Sequence, residues 1–264
     1  MATQLMAILN ATPDSFYDGN PQNNMAGLLT RAEQYIKEGA DILDIGGEST
    51  RPGASPVSAG EELTRVVPLV REIHHRWPNI PLSLDTTKLS VALEGLKHGV
   101  RIINDVSGHP TQDLFKLVKN FNAHLVLMHT RGNPQTMQQD TAYQNIVSEV
   151  KNFLAEKVNQ ALATGLSKEQ LIIDPGFGFA KTREQNYTLL KHLAELKIPG
   201  VRLLVGLSRK SFLSMPGDSP KNRLPQTLAA HLVALQQGAD ILRVHDVAVT
   251  RQTISFFTHY QEAL

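Results

Sequence analysis

Cysteine is absent from the 264 residues, which excludes disulfides, thiolate metal sites and cysteine nucleophiles. Neither sign of charge dominates, with 26 basic residues against 25 acidic ones. No block of like charges occurs, so neither a nucleic-acid surface nor an acidic tail is signalled. An apolar run of the roughly 18 residues that a membrane helix needs is also lacking. The opening "MATQLMAILN" has no basic flank of the kind that marks a secretory signal. These absences lead to the expectation of a cytoplasmic protein with neither nucleic acid nor membrane as partner. Aromatic residues are few, at 6% with one tryptophan, and Trp77 and Tyr35 read as edges of a core rather than ligand platforms.

What is present is alternation. Short apolar runs at Leu5–Leu9, Ile42–Ile45, Pro81–Leu84, Arg101–Ile103, His124–Met128, Leu171–Ile173, Arg202–Val205 and Ile241–Val244 read as strands. Segments with helical periodicity separate them, the longest from about Thr141 to Thr164. Glycines 39, 99, 165 and 238 stand where helices should stop, each just before a strand. "GADILDIG" (39–46) and "GADILRVH" (238–245) echo each other as second and eighth units of one repeating architecture. The pattern predicts an α/β fold, a (β/α)8 TIM barrel, with residues 1–264 as one domain. An open doubly wound sheet is the runner-up, disfavoured because no nucleotide-type glycine fingerprint follows the first strand.

In such a barrel the chemistry gathers at the C-terminal strand ends, where the βα loops converge. Each predicted strand leads there to a polar group: Asn10, the "GGESTRPGA" loop, Asp85, Asn104-Asp105, His129, Asp174, "GLSRKS", and Arg243 leading to His245-Asp246. Any one of these serves as readily as a solvated loop residue or a helix cap. All of them at one rim are harder to derive from capping alone. Asp85, Asn104 and Asp174 are acceptors suited to the N–H edges of a flat nitrogen heterocycle. Arg51, Lys210, Arg243 and His245 are donors suited to a phosphate ester. "SRKS" is predicted to open a short helix whose backbone N–H groups add to the anion site. His129 reads as a hydrogen-bonded wall, and His74 and His75 as surface residues. A metal, if used, would be Mg2+ arriving on a diphosphate, with Asn10 as one ligand.

The motifs "ILNATPDSF", "DIGGESTRPGA", "SLDTTK", "INDVSG", "LMHTRGNP", "DPGFGFAK", "VGLSRKS" and "RVHDV" together resemble the dihydropteroate synthase family of folate biosynthesis, in order from Ala7 to about Val247. The resemblance implies condensation of a dihydropterinylmethyl diphosphate with 4-aminobenzoate, giving dihydropteroate and pyrophosphate by way of a cationic pterin. It implies Asp85, Asn104, Val106, Met128, Asp174, Gly206 and Lys210 at the pterin. Thr50, Arg51, Pro52, Phe179, Ser208 and Lys210 would surround the aminobenzoate, where sulfonamides would compete. Asn10, Arg243 and His245 would hold the diphosphate with its magnesium. Asp85, Asp174, Lys210, Asn10 and Arg51 carry the catalytic expectation. "TPDSFYDG" and "STRPGA" resemble the family's two mobile loops, and a homodimer is implied.

Three features depart from the family pattern: Ala11 for valine, Ala180 for the third glycine of "GFGFGK", and few residues ahead of the first strand. Ala180 strains the loop if the position has positive φ and is nearly silent otherwise. The short lead predicts a more open barrel floor. The rival readings are a corrinoid-dependent methyltransferase and a catalytically silent pterin-binding paralogue. The "STRPG" loop and the "SRKS" cations weigh against the first, and the presence of Asn10, Asp14, Arg51, Lys210, Arg243 and His245 weighs against the second.

Overall fold

Parallel strands pair in chain order and close on themselves: β1 (Gln4–Asn10), β2 (Ile42–Gly46), β3 (Leu82–Asp85), β4 (Val100–Asp105), β5 (His124–Met128), β6 (Leu171–Asp174), β7 (Arg202–Val205) and β8 (Ile241–Val244), with β8 returning to β1. This computed structural model describes residues 3–12, 21–49, 55–132, 140–215 and 219–263. A helix follows each strand: α1 (Pro21–Lys37), α2 (Ala59–Arg76), α3 (Leu89–Lys97), α4 (Gln112–Asn120), α5 (Ile146–Ala163), α6 (Arg183–Lys191), α7 (Leu224–Gln236) and α8 (Val247–Glu262). The closed barrel expected from the alternation is the fold observed.

The strands form where apolar residues run continuously because both their faces are covered. Alternate side chains divide between two cores. Leu5, Leu43, Leu84, Leu125, Ile173, Leu203 and Val244 point outward and pack in one cluster with the helices. Met6, Ile42, Ile102, Val126, Ile172, Leu204 and Ile241 form a separate cluster. They are at most 3% exposed and fill the barrel's interior as an apolar floor. No helix among the described residues is long and apolar enough to cross a membrane.

The two echoing segments do equivalent work at the helix-to-strand turns. Asp41 Oδ2 accepts the N–H of Leu5 at 2.7 Å, and Asp240 Oδ2 accepts that of Leu203 at 2.8 Å. Each carboxylate thereby satisfies the backbone donor of the second residue in the neighbouring strand. Helix α5 begins at Ile146, later than the periodicity suggested. Asn145 caps it by accepting from Ser148, and Glu149 accepts the N–H groups of Gln144 and Asn145. Trp77 and Tyr35 are core edges as expected; Phe257 packs on the core, whereas Phe256 is 62% exposed.

Ala180 has φ 52°, so the loop after β6 carries the strain that the missing glycine threatened. The left-handed conformation costs an alanine about 1–2 kcal/mol. Its wholly buried methyl returns about 0.8 kcal/mol, and the stiffer unfolded chain returns a similar amount. Gly176 has no such tolerance: at φ 68°, an added Cβ would lie 2.0 Å from the His129 carbonyl oxygen. In urea denaturation Ala180→Gly should therefore change stability by less than about 1 kcal/mol. Gly176→Ala should cost about 3 kcal/mol or more.

Candidate active site

The inward-facing positions change character above the apolar floor. Two residues beyond Ile42, Ile102, Ile172 and Ile241 come Asp44, Asn104, Asp174 and Arg243; two beyond Val126 comes Met128. The strand period of two thus carries polar groups from neighbouring strands to one level of the barrel. Asp44, Asp85, Asn104 and Asp174 are all buried, at 0%, 6%, 2% and 7% exposure.

Arg243 organises this layer. Its Nε donates to Asp44 Oδ2 at 2.6 Å and its Nη2 to Asp85 Oδ2 at 2.7 Å. Asn104 Nδ2 donates to the same Asp44 oxygen at 3.3 Å. Burial alone would weaken the guanidinium's hold on its proton, but Asp44 and Asp85 more than offset it. Asp85 is pushed up to about 7, first by burial and then by Asp44, against the pull of Arg243. Its Oδ1 and that of Asn104 are buried without a partner among the described residues. Two aimed acceptors at a closed barrel level are suited to receiving N–H groups from a ligand.

Asp174 lies on the neighbouring side, where its Oδ1 accepts the N–H of Gly176 at 2.8 Å. Burial raises its pKa, with the Gly176 bond and Lys210 opposing. Lys210 Nζ sits 4.3 Å from the centre of the Phe179 ring and is brought down to about 8 by burial, despite Asp174. The structure therefore brings the expected ring-facing lysine, the aromatic wall and the acid together. Met128 is buried and Val106, Gly206 and Phe179 are half-buried. Gly206 opens onto free space, with no atom within 4 Å of where a Cβ would stand. Asn10 Oδ1 and the Asp85 side chain both approach Gly46, within 3.5 and 3.6 Å of its Cβ position.

Ser208 Oγ lies 3.0 Å from His245 Nδ1 and accepts the His245 N–H at 3.2 Å. The serine expected near the aminobenzoate is thus tied to the histidine expected near the diphosphate. His245 falls to about 4 through burial and the Arg243 charge, so neutral imidazole is its resting form. After β7, Arg209 turns left-handed at φ 57° and pairs with Asp246. Only a three-residue 3-10 turn, Ser211–Leu213, follows. That is too short to collect a helix dipole, so anion binding there falls to side chains rather than to the expected helix N-terminus. Asp14, Thr50, Arg51 and Pro52, and the two expected mobile loops for most of their length, lie outside the described residues. Among the described residues on either side of that stretch, Lys88 bridges Glu48 and Glu62 at 2.5 and 2.6 Å, while Glu48 accepts the Val57 N–H at 2.8 Å. No group of three or more potential metal ligands occurs among the described residues.

The profile of pterin-binding enzymes matches residues 6–245. Dihydropteroate synthase of a Synechocystis species is 46% identical over 253 residues, covering 95% of this chain and 87% of that protein. The chain belongs to the pterin-binding enzymes, among the dihydropteroate synthases. A solved dihydropteroate synthase of Xanthomonas albilineans with 4-aminobenzoic acid superposes with a TM-score of 0.93 at 39% identity, covering 100% of this chain and 94% of that one. The Yersinia pestis enzyme in complex with a sulfonamide drug gives 0.92 at 39% identity, covering 99% and 95%.

For a pterin-binding enzyme, two buried residues were not read from the sequence. Asp44 was hidden inside an apolar strand, yet in the echo it aligns with Arg243, its ion-pair partner. Lys181 closes the "DPGFGFAK" motif and is only 3% exposed. Pterin binding should weaken as pH falls through about 7, where Asp85 gains its proton and loses an acceptor. Calorimetric titration across that range should show the midpoint move to lower pH in Asp44→Asn, which removes the neighbouring negative charge.

Proposed function

We propose that this site joins a 7,8-dihydropterin bearing a CH2-diphosphate to the amine of 4-aminobenzoate, releasing pyrophosphate and 7,8-dihydropteroate. The observation that carries this reading is the buried acceptor set Asp85, Asn104 and Asp174 beside the cations Arg243 and Lys210. A heterocycle with an amidine-like edge satisfies the former, and a departing diphosphate is drawn toward the latter.

The C–O bond at the exocyclic methylene breaks first and leaves its electron pair on the diphosphate. Positive charge develops on the pterin, which the carboxylates of Asp85 and Asp174 stabilise in a site shielded from bulk water. The arylamine nitrogen then forms the new C–N bond and gives up a proton. No protein nucleophile takes part, so positioning and electrostatics supply the catalysis. Phe179 forms one wall for the aminobenzoate ring, with Thr50, Arg51 and Pro52 completing that pocket. Sulfonamides, as mimics of the second substrate, would occupy the same place.

Asn10, Arg243 and His245 are proposed to hold the diphosphate. The donor set fits a magnesium ion that arrives already bound to phosphate oxygens: Asn10 offers one amide oxygen, and no protein carboxylate cage is required. Such an ion would neutralise charge on the leaving group. The proposal extends to a homodimer, supported by Phe256 and Tyr260 of α8 at 62% and 59% exposure, and to a cytoplasmic setting. The pterin diphosphate is multiply charged and does not cross membranes unaided, so the enzyme belongs in the compartment that makes it.

A coupled pyrophosphate assay with both substrates tests the reading: release should depend on 4-aminobenzoate. Asp174→Asn should weaken pterin binding by roughly a hundredfold or more, as expected for loss of a buried charged acceptor. Near-normal pterin affinity in that variant would sink the assignment.

A further inference from the structure

Lys181 is a buried amine whose hydrogen bonds, among the described residues, all go to groups without charge. Burial brings it down to about 7 with the nearby Asp174 charge opposing, and the geometry around it fits the protonated form. Its Nζ lies 2.9 Å from the Gly176 carbonyl oxygen, 2.9 Å from that of Phe179 and 2.9 Å from His129 Nδ1. A longer contact of 3.5 Å reaches the His129 carbonyl. An ammonium has three N–H bonds, and here three close acceptors surround it. His129 is suited to its part: burial, with the neighbouring Lys181 and Arg131 charges, takes it down to about 2. It therefore stays neutral and offers a lone pair. The imidazole is itself held edge-on by Phe153, with ring centres 4.9 Å apart.

The segment gripped this way has little freedom of its own to hold its shape. Gly176, Gly178 and Ala180 have φ of 68°, 79° and 52°, alternating with ordinary conformations. Such a backbone cannot make a regular ladder, so its carbonyls must find donors elsewhere. Lys181 supplies them for Gly176 and Phe179, Tyr143 supplies one for Ala180 at 3.0 Å, and Asn186 accepts the Gly178 N–H at 2.7 Å. The orientation of the Phe179 peptide decides where its ring lies, and that ring rests under Lys210. The Asp174 backbone, in contrast, is fixed by the β5–β6 pairing, since its carbonyl accepts the His129 N–H at 2.9 Å, and its carboxylate meets the turn at the first glycine alone, through the Gly176 N–H.

We infer that Lys181, supported by His129, is a positioning residue: its buried ammonium sets the Gly176–Ala180 turn so that Phe179 faces the aminobenzoate, without touching either substrate. This rests on the proposed reaction and adds a specific division to it. The pterin half should depend on the strands, and the aminobenzoate half on Lys181.

The absence of native cysteine makes a clean test possible. Lys181→Cys can be aminoethylated at its one thiol in denaturant and refolded, restoring an ammonium at nearly the same reach. In Lys181→Met and unmodified Lys181→Cys, KM for 4-aminobenzoate should rise about tenfold or more, while the dissociation constant of the pterin diphosphate stays within about threefold. Aminoethylation should bring KM back to within about threefold of the parent. His129→Gln, which keeps the two carbonyl contacts, should give a smaller rise in the same constant and guards against a Lys181 variant that does not fold. An active parent whose folded Lys181 variants keep the aminobenzoate KM overturns the inference alone. Equal loss of both affinities, or no recovery on aminoethylation of folded protein, also overturns it. A parent that releases no pyrophosphate overturns the proposed reaction, and this inference with it.

Discussion

Inside the barrel, one guanidinium is held between two carboxylates, and the rest of the site depends on that arrangement. Arg243 could not sit at this depth unpaired, because an isolated buried charge costs several kcal/mol. Asp44 and Asp85 bind two of its nitrogens and in return are fixed in direction. Asp44 also receives the Asn104 amide, which leaves that side chain's oxygen, like Oδ1 of Asp85, buried and without a partner among the described residues. Three strands thereby present acceptors at one level. Replacing the cluster by well-packed apolar residues could leave stability unchanged, but it would remove what orients the ligand.

The apolar floor makes this cluster possible. Met6, Ile42, Ile102, Val126, Ile172, Leu204 and Ile241 close the barrel beneath it, so the polar layer opens in one direction. The period of two along each strand then places a charge or amide where the next inward side chain falls. Above this layer the backbone leaves the ladder, and its carbonyls need other donors. The turn after β6 meets that need with Lys181, whose ammonium serves two carbonyls and an imidazole at once. A rigid layer made by strands and a loop layer made by buried side chains therefore meet at Lys210 and Phe179.

Much of this was legible from residues alone. The strand at His124–Met128 and those at Arg202–Val205 and Ile241–Val244 were bounded correctly, because continuous apolar runs with polar ends leave little choice of boundary. Asp85, Asn104 and Asp174 stood out as polar residues at strand exits. Asp44 did not, since it lies within a strand rather than at its end, and an acid flanked by Leu43 and Ile45 has no visible partner in the chain. The partner is almost 200 positions away in sequence. Lys181 read as the end of a motif because nothing local shows three acceptors folding around it. The short helix expected at "SRKS" shrank to one turn, since the left-handed Arg209 and its pairing with Asp246 redirect the backbone. Thr50, Arg51 and Pro52 stand as expectations from sequence.

From sequence alone came the eightfold alternation, the polar strand ends and the chemical sorting of acceptors from cations. Each depends on local period and residue type, which neighbouring positions in the chain suffice to reveal. Tertiary structure alone decided that Asp44 shares Arg243 with Asp85, that Ser208 meets His245, and that Lys181 lies buried against His129. Those pairings come from barrel closure, which brings the last strand against the first and sets inward residues of distant strands side by side. Charge balance and solvation at such a level are properties of the closed ring, and no single strand carries them.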